Sequence, residues 1–320
     1  MIKFSQLVSN ILSSILLILV IIYALLSNFV KFLNIKFYNK PINVKDSNKY
    51  VYIESKEKAK FYKSELITPN PNYYAENCGF KLINQIVNTE DHYQLLVHKV
   101  IRSDTDNIDN ENSKGYPVLI LHGLFQSSGS FITSEERSLS FWLSNKGYQV
   151  YLGNTRGVFN MGHQFIKKND PKFWNYNINN LALQDLPALI NHVKFDSGFD
   201  KVAFIGHSQG NGLAFMSLSL DYCPSLSNDI SSFIALAPTI YAGPLTTGFP
   251  FTAINHLDWK SWKFIFGELD FIPLMTWAFN YTPKRAFALL GYQMFSFLFS
   301  WTDKVSFVLF FFFLKKKMIY

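Results

Sequence analysis

Gly206-His207-Ser208-Gln209-Gly210 constrains this chain more than any other stretch. It follows the apolar run Val202-Ala203-Phe204-Ile205 and leads into Asn211-Gly212-Leu213-Ala214-Phe215-Met216. That order reads strand, sharp turn, helix, which is the context a G-x-S-x-G nucleophile elbow requires. Gly206 and Gly210 remove Cβ atoms where the strand and helix crowd each other. Ser208 is then held on a strained turn, its hydroxyl exposed at the carboxyl end of the strand. Glycine and serine are common in turns, so the five residues alone also fit an ordinary strand-to-helix turn. The flanking apolar strand and helix decide for the elbow.

A second segment points the same way. Pro117-Val118-Leu119-Ile120-Leu121 reads as a short apolar strand running into His122-Gly123-Leu124-Phe125-Gln126. Acyl transfer at such an elbow needs a backbone N–H from the loop after an early strand. That donor pairs with the N–H of the residue after the nucleophile to bind the developing oxyanion. The expected donors are the amides of Leu124 and Gln209. The alternative for His122-Gly123 is a plain loop with a hydrogen-bonded histidine.

These residues carry a family resemblance. From about Asn88 to Asp303 the chain resembles the acid-lipase family of α/β-hydrolases, which includes gastric and lysosomal lipases and fungal steryl ester hydrolases. The resemblance rests on Thr89-Glu90-Asp91, on His122 through Ser128, and on Asn154-Thr155-Arg156-Gly157. It continues through Asp185-Leu186-Pro187-Ala188, the elbow itself and Ala235-Leu236-Ala237-Pro238. Ser127-Ser128-Gly129-Ser130-Phe131 and Tyr241-Ala242-Gly243-Pro244-Leu245 resemble the fungal, membrane-anchored steryl ester hydrolase branch. The resemblance implies Ser208 as nucleophile and Leu124 and Gln209 as oxyanion amides, with no cofactor and no metal. It implies hydrolysis of long-chain carboxylic esters, steryl esters foremost, through a serine acyl-enzyme. His92, Val158 and Asn180 depart from the family pattern at positions that affect local turns more than chemistry.

The end of the chain departs further. In this fold the triad runs in the order Ser, then Asp or Glu, then His. The family places its acid and histidine beyond the equivalent of Tyr320. After Ser208 the one remaining histidine is His256, in a region the resemblance assigns to a cap inserted after the sixth strand. His207 is expected to point away from the hydroxyl and to pack or hydrogen-bond beside its strand. Val305 to Leu314 followed by Lys315-Lys316-Lys317 is what T and A tracts encode. It reads as a shifted frame or decay after Trp301-Thr302-Asp303, rather than a tail anchor, because ten apolar residues fall short of the about 20 that span a bilayer. The expected sheet is therefore incomplete at its C-terminal strands, leaving Ser232 to Ala237 as an exposed apolar edge. These features keep open a catalytically inactive lipase remnant or lipid-binding pseudoenzyme, and a membrane-tethered interaction protein.

Residues from Phe4 to Val30 carry no charge, and Ile11 to Leu26 is dense in Leu, Ile and Val. With its flanks this stretch is long enough to span a bilayer. Lys31, Lys36, Lys40 and Lys45 follow it, which by the positive-inside tendency places the following domain in the cytosol. The alternative is a cleaved signal peptide, disfavoured by the length of the run and the lack of a small-x-small cleavage site. Cys78 and Cys223 are the only cysteines, so no disulfide framework is expected. The net charge of +7 is spread along the chain with no nucleic-acid motif, and it suits anionic lipid headgroups better than nucleic acid. The expected partners are a lipid ester and a membrane or lipid droplet surface.

The expected organisation is an anchor over 1–30, a polar connector over 31–87, a partial hydrolase domain over 88–303 including the start of a cap, and an aberrant tail over 304–320. Strands are expected at Tyr93–Ile101 and Tyr148–Leu152, helices at Glu135–Lys146 and Leu181–Lys194, and a polar loop at Ser103–Lys114. Strands alternating with helices predict an α/β fold with a mostly parallel sheet. The aromatic stretch holding Trp259, Trp262, Phe264, Phe266 and Phe271 fits either a cap over a lipid-binding cleft or ordinary core.

Overall fold

A computed structural model describes residues 4–38, 68–103, 115–219, 222–240, 252, 256–269 and 273–298. The chain divides into two units, one from Thr68 to Ala242 and one formed by Met1–Ile67 with Gly243–Tyr320. Residues 39–67 of the connector expected over 31–87, most of the polar loop after Ser103, Tyr241-Ala242-Gly243-Pro244-Leu245, Phe271, Trp301-Thr302-Asp303 and the tail over 304–320 lie outside the described residues.

The first unit is built on six strands: β1 (Phe80–Asn88), β2 (Gln94–Arg102), β3 (Pro117–Leu121), β4 (Gln149–Gly153), β5 (Val202–His207) and β6 (Ile230–Leu236). Their spatial order is β1-β2-β4-β3-β5-β6. β1 pairs antiparallel with β2, and β2 antiparallel with β4. From β4 through β3 and β5 to β6 every pairing is parallel. This is the mostly parallel α/β sheet expected. Every residue of β3 is buried, as a central strand covered on both faces must be.

The strand period of two sends Leu119 and Leu121 to one face and Val118 and Ile120 to the other. On the first face lies a core that includes Leu95, Tyr151, Leu189, Val193, Phe204 and Leu213, gathered under α5 (Leu186–Ser197) and α6 (Gln209–Ser217). On the opposite face Phe80, Ile132, Phe141, Val150 and Ile205 pack with α2 (Pro71–Glu76) and α3 (Leu139–Asn145). The rings of Phe80 and Phe141 stack with centroids 4.4 Å apart.

The fold extends further toward the amino end than the sequence suggests. β1 and α2 fall inside the stretch expected to be a connector. β1 escapes notice because its buried residues change face, from Phe80 and Leu82 on one side to Val87 on the other, and Asn84 and Gln85 interrupt its apolar alternation. Elsewhere boundaries move by a few residues. Glu135–Arg137 is a 3-10 turn ahead of α3, not the start of one long helix. Leu181–Asp185 forms a π-type turn between α4 (Ile178–Asn180) and α5. Pro187 has no N–H to give to the carbonyl four residues back, so a regular ladder cannot run through it. β6 is the outer strand of the described sheet, and Ile234 on it is exposed.

The second unit is helical among its described residues: α1 (Phe4–Tyr38), α7 (Trp259–Phe266), α8 (Pro273–Tyr281) and α9 (Lys284–Leu298). Leu7–Ser27 within α1 is long and apolar enough to cross a membrane by length and composition. α1 runs on past residue 30, the expected end of the anchor. The aromatic stretch after Pro238 folds into helices that pack along α1.

β2 also buries His98, whose Nδ1 lies 2.8 Å from Ser128 Oγ. Burial pulls its imidazole down to about 4. In the unfolded chain the same group protonates near its ordinary 6.5, so the unfolded state takes up the proton first as pH falls. His98 therefore makes the fold lose stability between about pH 6.5 and pH 4, by up to about 3 kcal/mol. Chemical unfolding of the detergent-solubilised chain is expected to show this acid loss, and His98→Gln to flatten it.

Candidate active site

Ser208 joins β5 to α6 with φ +50° and ψ −114°. A side chain at positive φ is strained by about 1–3 kcal/mol, and it persists only where its surroundings hold it. Here the Ser208 N–H donates to the Leu236 carbonyl at 3.0 Å, while the Ser208 carbonyl accepts from Asn211 N–H at 3.1 Å and Thr239 N–H at 3.4 Å. The flanking glycines are required by contact. A Cβ on Gly210 would lie 2.7 Å from the Leu121 carbonyl oxygen and 2.9 Å from that of His122. One on Gly206 would lie 2.4 Å from Asn211 Oδ1 and 2.9 Å from its backbone nitrogen. The turn expected from the sequence is thus present.

Beside it runs the turn after β3. Phe125 takes φ +59°, and the Gln126 N–H closes the turn onto the Gly123 carbonyl at 3.2 Å. Gly123 touches the elbow closely, since a Cβ there would sit 2.9 Å from Ser208 Cβ. Gln126 Oε1 accepts from the Gly123 N–H at 2.9 Å and from His207 Nδ1 at 2.7 Å, so one side-chain amide ties this turn to the elbow. His207 is therefore directed at Gln126. Among the described residues the Leu124 N–H has no backbone acceptor, and the Gln209 N–H stands in the first turn of α6, where no intrahelical acceptor exists.

His122 is buried, and its partners define its proton. Thr155 N–H donates to Nε2 at 3.3 Å, so Nδ1 carries the hydrogen and donates to the Gly123 carbonyl at 2.8 Å. Burial pulls its pKa down, which keeps the ring neutral. His122 is a structural strut under the turn. Ser208 Oγ lies 3.0 Å from Thr239 Oγ1, and among the described residues no histidine hydrogen-bonds to it. His256 lies in the helical unit. Among the described residues no group of His, Cys, Asp and Glu is arranged to hold a metal.

The strut stands on a buried ion network that the sequence reading did not assign to the site. Arg156, just past β4, is buried with Asp185. Its Nε donates to Asp185 Oδ1 at 2.8 Å and its backbone N–H to Asp185 Oδ2 at 2.9 Å. Nη1 and Nη2 reach Asp91 at 2.8 and 3.0 Å. The guanidinium carbon sits 3.9 Å from the Tyr93 ring centroid. Burial acts to lower the pKa of Arg156, but the hydrogen bonds it donates to both carboxylates raise it. Burial pushes Asp185 up, against the hydrogen bonds from Arg156. Burial also acts upward on Asp91, yet Arg156 and Thr89 hold its carboxyl below the ordinary range. The neighbouring Asn154 accepts from Ser128 N–H at 2.9 Å and donates to the Leu96 carbonyl at 2.8 Å. The network thus pins the loop whose Thr155 amide orients His122. Thr89-Glu90-Asp91, Asn154 to Gly157 and Asp185 carried the family resemblance. Nothing in one sequence pairs such distant segments.

Replacing Arg156 by Ala leaves two carboxylates without their cation, one of them fully buried. The expected loss is about 3–5 kcal/mol in denaturant unfolding. Arg156→Lys is expected to recover only part, because an ammonium cannot make the forked contacts to both aspartates.

Residues 71–135 match the profile of the partial alpha/beta-hydrolase lipase region, and residues 116–268 match that of the alpha/beta hydrolase fold. Sterol esterase 2 of Saccharomyces cerevisiae is 32% identical over 247 residues, covering 74% of this chain and 45% of that protein. The lysosomal acid lipase/cholesteryl ester hydrolase of Homo sapiens is 32% identical over 199 residues, covering 61% of this chain and 48% of the relative. The gastric triacylglycerol lipase of Rattus norvegicus is 34% identical over 198 residues, covering 61% and 48%. The chain spans about half the length of these curated relatives. With its elbow and mostly parallel sheet, this chain belongs to the lipase family of α/β-hydrolases.

Proposed function

We propose that the protein hydrolyses long-chain lipid esters, with steryl esters as the substrate class, and that Ser208 is the nucleophile. The observation that carries this reading is the strained backbone of Ser208 at the end of β5, packed against the Gly123 turn. Ser208 Oγ would attack the ester carbonyl carbon, and the two amides would receive the charge developing on its oxygen. The alcohol leaves, and water then releases the acid from the acyl-enzyme. The exposed side chains of Leu124 and Phe125, on the turn that meets the elbow at Gly123, offer apolar surface suited to a lipid acyl chain or a sterol. Relatives named as a sterol esterase and a cholesteryl ester hydrolase support the steryl class. The apolar α1 supports a membrane setting, at a bilayer or a lipid droplet surface, with the hydrolase unit on the cytosolic side.

A second reading is a lipid-binding member without turnover. It is favoured by the pairing of Ser208 Oγ with Thr239 instead of a histidine, because a serine without a base is a weak nucleophile. A fluorophosphonate probe separates the two. Labelling of the full chain that disappears in Ser208→Ala is expected for the hydrolase. A chain that keeps its native circular dichroism yet takes no label overturns the hydrolase reading and leaves the second.

A further inference from the structure

The helical unit carries its large apolar side chains outward. On α1 the residues Leu7, Ile11, Ile15, Ile18, Ile22 and Leu26 are exposed. They recur at three- and four-residue spacing along one side of the helix. The buried positions of the same helix are Ser9, Ser13, Leu17 and Ala24, which by the same period lie on the opposite side. Ser9 is 3% exposed, and its Oγ donates to the Lys263 carbonyl of α7 at 3.2 Å. The other helices bury Phe266, Gln293 and Met294 and also carry large apolar side chains outward. Gln293 on α9 is 3% exposed, whereas Trp277 and Tyr281 on α8 are 54% and 73% exposed. Trp259 and Phe264 on α7 and Leu290 on α9 also face outward. In water a helix buries its apolar stripe and exposes its polar one. Here Ser9, Ser13 and Gln293 lie inside beside Leu17, Phe266 and Met294, while leucine, isoleucine and tryptophan side chains also cover the outside.

We propose that α7, α8 and α9 share a phospholipid bilayer with α1, so that the outer surface of this helical unit is solvated by lipid. The proposal rests on reading α1 as a membrane helix and extends it to residues 259–298. Small residues on the inward face of a helix allow the close approach by which helices associate in lipid, where the hydrophobic effect supplies no drive. The outward faces of α8 and α9 continue the apolar surface of α1, against which both pack. The charges of α7 and α9 sit at or near helix ends. Lys260 lies in the first turn of α7, and Lys284 and Arg285 open α9. Ala286 to Leu298 then carries no charge. Lys263 is poised over the Trp259 ring, 5.0 Å from its centroid, and pairs with Glu268. Cations beside tryptophan suit the headgroup level, with phosphate on one side and acyl chain on the other. α9 has 15 residues, fewer than the about 20 that cross a bilayer, so α7 to α9 enter one leaflet and do not span.

The test places an environment-sensitive fluorophore on single cysteines of the full chain, with Cys78 and Cys223 replaced by serine. Trp277→Cys and Leu290→Cys report on the proposal, Leu19→Cys on α1, and Phe195→Cys on the exposed surface of α5. The protein is reconstituted in phosphatidylcholine–phosphatidylserine vesicles with and without nitroxide-bearing acyl chains. Quenching at positions 277 and 290 is expected to match that at 19 and to exceed that at 195 by at least about threefold, as for groups below the headgroups. Quenching at 19 with water-like emission at both 277 and 290 overturns the proposal and leaves α1 as a lone anchor. Water-like emission at 19 as well overturns the membrane reading of α1 and the proposal with it.

Discussion

The approach of α6 to the end of β3 governs the geometry around Ser208. At Gly210 the helix passes so near the Leu121 and His122 carbonyls that a single methyl group would collide with both. That proximity brings the Ser208 turn against the loop carrying Leu124, and it leaves Ser208 no ordinary backbone conformation to adopt. The strain at positive φ is offset by the parallel pairing of β5 with β3 and β6 and by the hydrogen bonds that Ser208 exchanges with Leu236 and Thr239. Much of the core serves to hold this one contact.

A second layer of support runs through polar groups. Arg156 gathers Asp91 from the β1–β2 turn region and Asp185 from the turn before α5, and so joins segments far apart in the chain. From there the Thr155 amide orients His122, His122 holds the Gly123 carbonyl, and Gln126 links Gly123 to His207. Each partner in this series is buried or half-buried, and each uses its donor and acceptor in one sense only. A buried charge is costly unless fully paired, which is why the guanidinium is met on two edges by carboxylates and on its face by Tyr93.

The two units differ in what they bury. In the hydrolase unit leucine, valine and phenylalanine fill the two faces of the sheet. In the helical unit Ser9, Ser13 and Gln293 are interior together with Leu17, Phe266 and Met294, and isoleucine, leucine and tryptophan side chains also lie on the exterior. The first unit is thus folded by the exclusion of water, whereas the second leaves much apolar surface uncovered.

By itself the sequence determined the local events: strand, elbow and helix around Ser208, the turn after β3, the central parallel strands and the apolar helix at the amino end. Each rests on short-range chemistry, namely glycine where strand and helix touch, continuous apolar runs in covered strands and an uncharged stretch of bilayer length. Only tertiary structure decided the rest. β1 is half-wet, and its membership of the sheet shows only in its pairing with β2. The ion network of Arg156 depends on contacts between residues 29 and 65 positions apart, and no local pattern encodes such a distance. His122 and His207 had local readings as hydrogen-bonded residues, but their partners Thr155 and Gln126 come from other segments. The aromatic stretch fitted a cap or a core equally well from composition. Which of its side chains are covered (Phe266) and which are exposed (Trp259, Phe264) appears only when the helices are packed, because orientation is a property of neighbours and not of the residues alone.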